Sequence, residues 1–186
     1  MQLDFWRGSP GQDYVARNSL AADVVKSRCL MWQRILASTY PNYPSSALDV
    51  GANIGRNLRA LHTIRPQMKL HAVEPGQHAL AELRKQPFVD VDRTYEASAE
   101  SMPFPDESID MVFTCGVLIH IHPNNLLGAC EEIVRVAKRW VVAIEYFAPD
   151  CEMIRYQGQD DRLWRNDFGR FYVSELNLKQ IGRAHV

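Results

Sequence analysis

The sequence contains few cysteines, and none of them is spaced as a pair. Its 186 residues include four cysteines with no C-x-x-C spacing, and three of them lie in apolar segments, where a free thiol behaves as a small hydrophobic group. They are Cys29, Cys115, Cys130 and Cys151. This cysteine usage predicts a reducing compartment.

The sequence also lacks an excess of charge of either sign and any long hydrophobic run. Lysine and arginine number 21 against 22 aspartate and glutamate, a formal net charge of −1 at pH 7. Without a basic block, nothing electrostatic indicates nucleic acid or an anionic membrane as a partner. The first residues do not form a basic start followed by an apolar stretch, and no later stretch is long enough to span a bilayer. We therefore expect a cytoplasmic protein that binds a small molecule.

Helical and strand patterns alternate along the chain. Its length and its 46% of hydrophobic residues are sufficient for one compact domain. Apolar residues at 25, 29, 32 and 36 predict a helix over 21–38, ahead of the first strand. Buried strands are expected near 47–50, 69–74, 93–98, 109–117 and 140–147, with amphipathic helices between them. This alternation predicts an α/β fold with a doubly wound, mostly parallel sheet.

A glycine-containing turn follows the first predicted strand. Gly51 and Gly55 flank Asn53 in this turn, which leads from the strand into a helix. Glycine allows the backbone to pass close to a ligand, and the helix start offers free N–H groups. Glu74 ends the second strand, where an acidic side chain can accept hydrogen bonds from both hydroxyls of a ribose. The pair therefore predicts a nucleoside site.

The turn departs from the dinucleotide fingerprint in two positions. The pattern G-x-G-x-x-G requires glycine at 53 and 56, where this chain has Asn53 and Arg56, so a pyrophosphate would meet side chains. A cofactor without phosphate groups fits better. An NAD-type oxidoreductase stays open as an alternative, and so does a non-catalytic cofactor-binding module.

The glycine turn after Asp49, followed by Glu74 and by the segment "ASAESMPFPDESIDMVFT", resembles the class I S-adenosylmethionine-dependent methyltransferases over residues 45–147. The resemblance implies S-adenosylmethionine (SAM) as cofactor. It also implies that the loop Asp49–Gly55 lines the methionine part and that Glu74 takes the ribose hydroxyls. The corner Ser98-Ala99 is implied to edge the adenine. Residues at the end of the fourth strand, with Cys115 among them, are implied to face the transferred methyl group.

Flanking segments carry a narrower resemblance. "GQDYVARN", "GANIGRNL", "GVLIHIHPNNL", "IEYFAP" and "RYQGQDDRLWRNDFG" are together similar to the pseudaminic acid biosynthesis-associated methylases. This similarity implies methyl transfer to a sugar or nucleotide-sugar in nonulosonic acid metabolism. Arg17, in the first segment, is a candidate charge partner for the cofactor carboxylate.

Two residues are candidates for a general base. His120 follows the fourth strand, and its unperturbed pKa lies near neutrality. Glu145 lies on the fifth strand, where it is either a structural partner for an arginine or a base of the site. His120 and His122 alternate as a metal pair could, but no third ligand stands nearby, so no metal site is predicted.

The expected organisation is a single methyltransferase domain in four segments. An N-terminal helical segment (1–44) precedes the cofactor-binding core (45–147), a substrate-recognition segment (148–180) and a non-native tail (181–186). Class I methyltransferases normally finish with two more strands that form a hairpin at the sheet edge. The residues after "SELNLKQ" leave no room for such strands, so this hairpin is expected to be missing.

Overall fold

The computed structural model describes residues 2–18 and 20–183, and its centre is a five-stranded parallel sheet. The strand order is β3-β2-β1-β4-β5. The strands are β1 (Ser46–Val50), β2 (Lys69–Val73), β3 (Thr94–Tyr95), β4 (Ile109–Cys115) and β5 (Ala137–Ile144). The order reverses direction between β1 and β4, where β1 pairs with both β2 and β4. The predicted doubly wound parallel sheet is confirmed.

Helices cover both faces of this sheet because the strand side chains alternate between two cores. Met111 and Phe113 pack with Trp32 on one face, and Val112 packs with Ile133 on the other. The covering helices are α3 (Ala22–Ala37), α4 (Arg56–Ile64), α5 (Gln77–Arg84), α6 (Pro123–Val136) and α7 (Phe168–Leu176). The helix expected over 21–38 is present as α3, and Val25, Trp32 and Leu36 are its buried residues.

A C-terminal hairpin is present in a position that the sequence patterns did not indicate. Strands β6 (Glu152–Tyr156) and β7 (Gln159–Arg165) pair antiparallel through a turn at Gln157 and Gly158, both with positive φ. They form their own two-stranded sheet, and among the described residues no strand pairs with the outer edge of β5. The segment assigned to substrate recognition is thus partly strand, while the main sheet ends at β5. The last three residues of the tail expected at 181–186 lie outside the described residues.

Two short helices, α1 (Gln2–Arg7) and α2 (Ser9–Ala16), precede α3 and attach to the sheet through a small cluster of their own. Val15 packs with Ile54 and Ala79, and Leu20 completes the contact. This anchor lies beside the turn after β1 and the start of α5, so the N-terminal helices lie over the carboxyl ends of the strands. In the described part of the chain, no helix has both the length and the apolar character needed to cross a membrane.

Candidate active site

A cleft opens at the carboxyl ends of β1, β2 and β4, where the strand order reverses. This is the position at which open α/β sheets bind their ligands. Seven of the eleven candidate cofactor-binding and catalytic residues line it, namely Gly51, Asn53, Glu74, Ser98, Ala99, Cys115 and His120. The other four, Arg17, Asp49, Gly55 and Glu145, do not line the cleft.

The glycine turn has the backbone geometry that only glycine adopts readily. Gly51 has a φ of 75°, and a Cβ built there would lie 2.6 Å from Cγ2 of Val117 in the loop after β4. Gly55 has a φ of 83° and precedes α4, where a Cβ would lie 2.5 Å from Cδ1 of Leu83. Gly51 therefore permits two loops to approach each other at the cleft, whereas Gly55 permits helix packing beneath it.

Glu74 connects the turn after β1 with the start of α5. Its side chain is only 7% exposed, and its two carboxylate oxygens accept hydrogen bonds from the backbone N–H groups of Asn53 and Gly76, each at 2.8 Å. Burial raises the pKa of Glu74, and these two N–H donors counteract that rise. An ionised carboxylate has about four acceptor positions, so two remain for a ligand in the cleft.

Asp49 lies beneath the cleft in the middle of the sheet. Its side chain is 1% exposed, and one carboxylate oxygen has no hydrogen-bond partner in the described part of the chain. Burial raises its pKa to about 8, although the positive charge of Arg28 opposes this rise. Arg28 reaches from α3 into the cleft, where a terminal nitrogen donates to Oδ1 of Asn57 at 2.8 Å and to Sγ of Cys115 at 3.0 Å.

Arg17 does not join this group. Its side chain is exposed, Nε donates to the carbonyl of Asp13 at 3.2 Å, and the guanidinium lies 5.9 Å from the ring centre of Tyr14. Arg28 and Arg56 are the arginines that line the cleft. Periodicity marks α3 only by its apolar face, so no sequence signal indicated that Arg28 points toward the glycine turn after β1.

The loop after β4 carries His120 in a short 3₁₀ turn, Leu118–His120. Nδ1 of His120 lies 2.7 Å from the carbonyl oxygen of Arg162 on β7. A carbonyl only accepts hydrogen bonds, so Nδ1 carries the proton and Nε2 holds the free lone pair. Burial lowers the pKa of His120, which keeps the ring neutral at pH 7.

Aromatic rings from distant parts of the chain surround His120. The Trp6 ring from α1 lies 4.7 Å from the imidazole, and the Tyr156 ring from β6 lies 5.2 Å away on an edge-to-face approach. Tyr14 from α2 packs edge-to-face on Trp6 at 5.5 Å. Trp6 and Tyr156 were not predicted, because no local pattern connects residues so far apart in sequence.

Glu145 and His122 accept hydrogen bonds from backbone N–H groups and do not line the cleft. The Glu145 carboxylate accepts hydrogen bonds from the backbone N–H groups of Val117 at 3.1 Å and Ile119 at 3.4 Å. No ion pair among the described residues includes Glu145, so the expected arginine partner is not found. Glu145 is also absent from the residues that line the cleft. Nδ1 of His122 accepts the Asn124 N–H at the start of α6, and its ring packs 5.2 Å from Trp164.

The family model described as "Methyltransferase domain" matches residues 48–144, slightly more than half of the chain. The chain belongs to this methyltransferase family. SAM is therefore its cofactor class, as the resemblance to the class I methyltransferases implied. The match begins within β1 and ends with β5, so it includes the glycine turn and Glu74.

One curated protein is similar to this chain in sequence, and solved structures share its fold. A methyltransferase of Bacillus subtilis named YcgJ is 27% identical over 106 residues, which are 55% of this chain and 41% of that protein. The chain thus spans about two fifths of the length of this curated relative. A SAM-dependent methyltransferase from Leishmania major shares the fold with a TM-score of 0.73 at 18% identity, over 99% of this chain and 79% of the other.

Two further solved structures share the fold over shorter lengths or at lower identity. The plantazolicin methyltransferase BpumL, solved in complex with S-adenosylhomocysteine (SAH), has a TM-score of 0.56 at 14% identity over 72% of this chain and 51% of that chain. A methyltransferase of Haloferax volcanii, in complex with the Trm112 methyltransferase activator, has a TM-score of 0.63 at 15% identity over 95% of this chain and 75% of that chain. At these identities the likeness extends to the fold alone.

Proposed function

We propose that this chain catalyses methyl transfer from SAM to a hydroxyl or amine of a small polar acceptor, with His120 as general base. One observation carries the proposal. A histidine whose lone pair is fixed on Nε2 lines the same cleft as the carboxylate of Glu74. The cleft therefore combines a nucleoside-binding carboxylate with a neutral base.

The cofactor half, the part of the cleft formed by the segments after β1, β2 and β3, would hold SAM together with one side chain from α3. Glu74 would accept hydrogen bonds from the ribose hydroxyls, and Ser98 and Ala99 would edge the adenine. The turn at Gly51 and Asn53 would line the methionine part. Arg28, rather than the exposed Arg17, would pair with the methionine carboxylate, because it lines the cleft and already faces the buried Asp49.

The acceptor half would position the nucleophile. Bound SAM supplies an electrophilic methyl carbon on a sulfonium. Most of the rate enhancement in such a displacement comes from alignment, which the rings of Trp6 and Tyr14, both lining the cleft, would provide by restricting the acceptor beside His120. Nε2 of His120 would take the proton that an acceptor hydroxyl loses, and Arg162 would hold the imidazolium through its carbonyl.

The acceptor class proposed first is a sugar or nucleotide-sugar, in nonulosonic acid metabolism. The similarity to the pseudaminic acid-associated methylases supports it, and aromatic rings that line a cleft suit the apolar face of a sugar ring. A hydroxyl acceptor also requires a base such as neutral His120, since a hydroxyl must lose its proton as it is methylated.

The experiment that tests this proposal uses radiolabelled SAM and a panel of nucleotide-linked sugars, with transfer of label to the acceptor as the readout. His120→Asn is expected to lower kcat about 100-fold, the lower range for loss of a general base. His122→Asn is the matched control, because asparagine also caps a helix and His122 lies outside the cleft.

The outcomes separate the alternatives. Label transfer that survives in His120→Asn would reject His120 as the base. A folded chain that binds NAD but not SAH would favour the oxidoreductase, and SAH binding without transfer to any acceptor of the panel would favour a non-catalytic module.

A further inference from the structure

The Glu145 carboxylate lies at the start of the turn that carries His120. It follows β5 directly, and its two oxygens accept from the N–H groups of Val117 and Ile119, which belong to the loop after the neighbouring strand β4. Free N–H groups at the start of a helical turn attract an anion. Glu145 thus provides this anion from another strand.

Val117 links this carboxylate to both halves of the cleft. On one side its backbone N–H is held by Glu145, and its carbonyl accepts from the His120 N–H at 2.9 Å. On the other side its side chain fills the space left by the missing Cβ of Gly51 in the cofactor turn. A shift of Val117 would therefore move His120 relative to the cofactor turn.

We propose that Glu145 is a positioning residue whose ionised carboxylate holds the Val117–His120 turn in the arrangement that methyl transfer requires. This inference rests on the proposed function of His120, and it assigns Glu145 an indirect role in place of a base. When Glu145 is protonated, it accepts these hydrogen bonds more weakly, because charge-assisted bonds are about twice as strong as neutral ones. The turn is then held less firmly.

The side chains around Glu145 place its change of protonation near neutral pH. The titratable side chains that face it are Cys115 on β4, Cys130 on α6 and Tyr172 on α7. Burial raises the pKa of all three, so they are neutral near pH 7 and Glu145 is the group among them that changes charge. Burial raises the pKa of Glu145 to about 7, while the Thr114 side chain on β4 and the backbone N–H groups of the turn oppose this rise.

The first test follows backbone amides by NMR across pH 5 to 9, and it needs no acceptor. In the wild-type chain, the amide protons of Val117 and Ile119 are expected to shift with a midpoint near pH 7. In Glu145→Gln this titration is expected to disappear, whereas Glu131→Gln, on the exposed face of α6, is expected to preserve it. Amides that do not titrate in the wild-type chain, or that titrate equally in Glu145→Gln, would overturn the inference.

The second test compares pH profiles of kcat. The wild type is expected to gain activity as the pH rises through about 7, since Glu145 must be ionised and His120 neutral. The kcat of Glu145→Gln is expected to be about tenfold lower at pH 8. Its pH profile is expected to lack the rise near pH 7 and to show only the rise at lower pH that comes from deprotonation of His120. SAH affinity is expected to change less than threefold. A slower variant with the wild-type pH profile would contradict the positioning role.

These tests also separate the inference from the proposed function. If no acceptor is methylated, the amide titration still decides whether Glu145 holds the turn. If Glu145→Gln does not fold, the wild-type titration and Glu145→Asp supply the comparison. Glu145→Asp retains the charge on a shorter side chain, so it is expected to keep a titrating limb with reduced kcat.

Discussion

The two halves of the cleft are built in different ways. Gly51, Asn53 and Glu74, on the cofactor side, come from one strand-helix-strand unit, and the backbone of that unit brings them together. The acceptor side joins Trp6 from α1, His120 from the loop after β4, and β7, whose Arg162 carbonyl fixes the imidazole. The first half is a local motif, whereas the second depends on tertiary assembly.

This difference implies that the halves respond differently to mutation. A change in the cofactor half alters backbone geometry that many hydrogen bonds share, so its effect extends to stability. A change in the acceptor half removes a side chain contact on an attached helix or hairpin, so its effect is expected in the kinetics. Four substitutions test this contrast.

Gly51→Ala is expected to have the largest effect. The added Cβ would lie 2.6 Å from Cγ2 of Val117, on a residue with a φ of 75°. Strain of this kind costs about 2 kcal/mol of unfolding free energy, and SAH binding is expected to weaken by about 100-fold or more. Denaturant melts and calorimetric titration measure both quantities.

Gly128→Ala is the matched control for this substitution. Gly128 lies within α6, and a Cβ there would meet nothing within 4 Å. Its replacement is therefore expected to raise the unfolding free energy by about 0.5–1 kcal/mol. Equal behaviour of the two alanine variants would contradict the assignment of close approach to Gly51.

Asp49→Asn tests the buried carboxyl beneath the cofactor half. The raised pKa of about 8 means that the folded chain keeps a proton between about pH 4 and 8 that the unfolded chain has released. The unfolding free energy of the wild type therefore falls as the pH rises through this window. The variant lacks this carboxyl, so it is expected to be more stable at pH 8 by about 2 kcal/mol.

Thermal melts from pH 5 to 8 measure this difference. The gap between variant and wild type is expected to widen with rising pH and to level off above pH 8. A gap that is constant with pH, or that narrows, would show that Asp49 is ionised in the folded chain throughout.

Trp6→Leu tests the acceptor half alone. The substitution removes the ring that packs 4.7 Å from the imidazole of His120, and it leaves an apolar side chain in α1. The KM for the acceptor is expected to rise about tenfold, equivalent to ~1.4 kcal/mol, while SAH affinity changes less than threefold. Weaker SAH binding with an unchanged KM would place Trp6 on the cofactor side.

Arg17→Gln is expected to have the smallest effect. The Arg17 side chain is exposed and bonds to its own helix, so SAH affinity is expected to stay within twofold of the wild type. Arg28→Gln is the comparison, with binding expected to be about tenfold weaker because it would remove the proposed charge partner of the cofactor carboxylate. The reverse result in titrations of the two variants would restore Arg17 as that partner.

The sequence predicted the sheet, and it predicted that Gly51 and Glu74 meet at one cleft, because both features are encoded locally. The periods of apolar residues predicted β1 to β5 in order. The number of residues between Gly51 and Glu74 is that of one helix and the strand that follows it. Arg28 could not be predicted, since an amphipathic pattern fixes the buried face of α3 but not which polar side chain meets the next loop. The hairpin of β6 and β7 was missed because its strands are short and largely polar, with a turn at Gln157-Gly158.

Calorimetric titration of the wild-type chain with SAH, alongside Glu74→Ala and Glu96→Ala, tests the central claim that this cleft is a nucleoside site. Wild type and Glu96→Ala are expected to bind with Kd values of about 1–100 μM, since Glu96 is exposed, and Glu74→Ala at least about 100-fold more weakly. Absence of binding by folded wild-type chain, or equal binding by Glu74→Ala, would contradict the account.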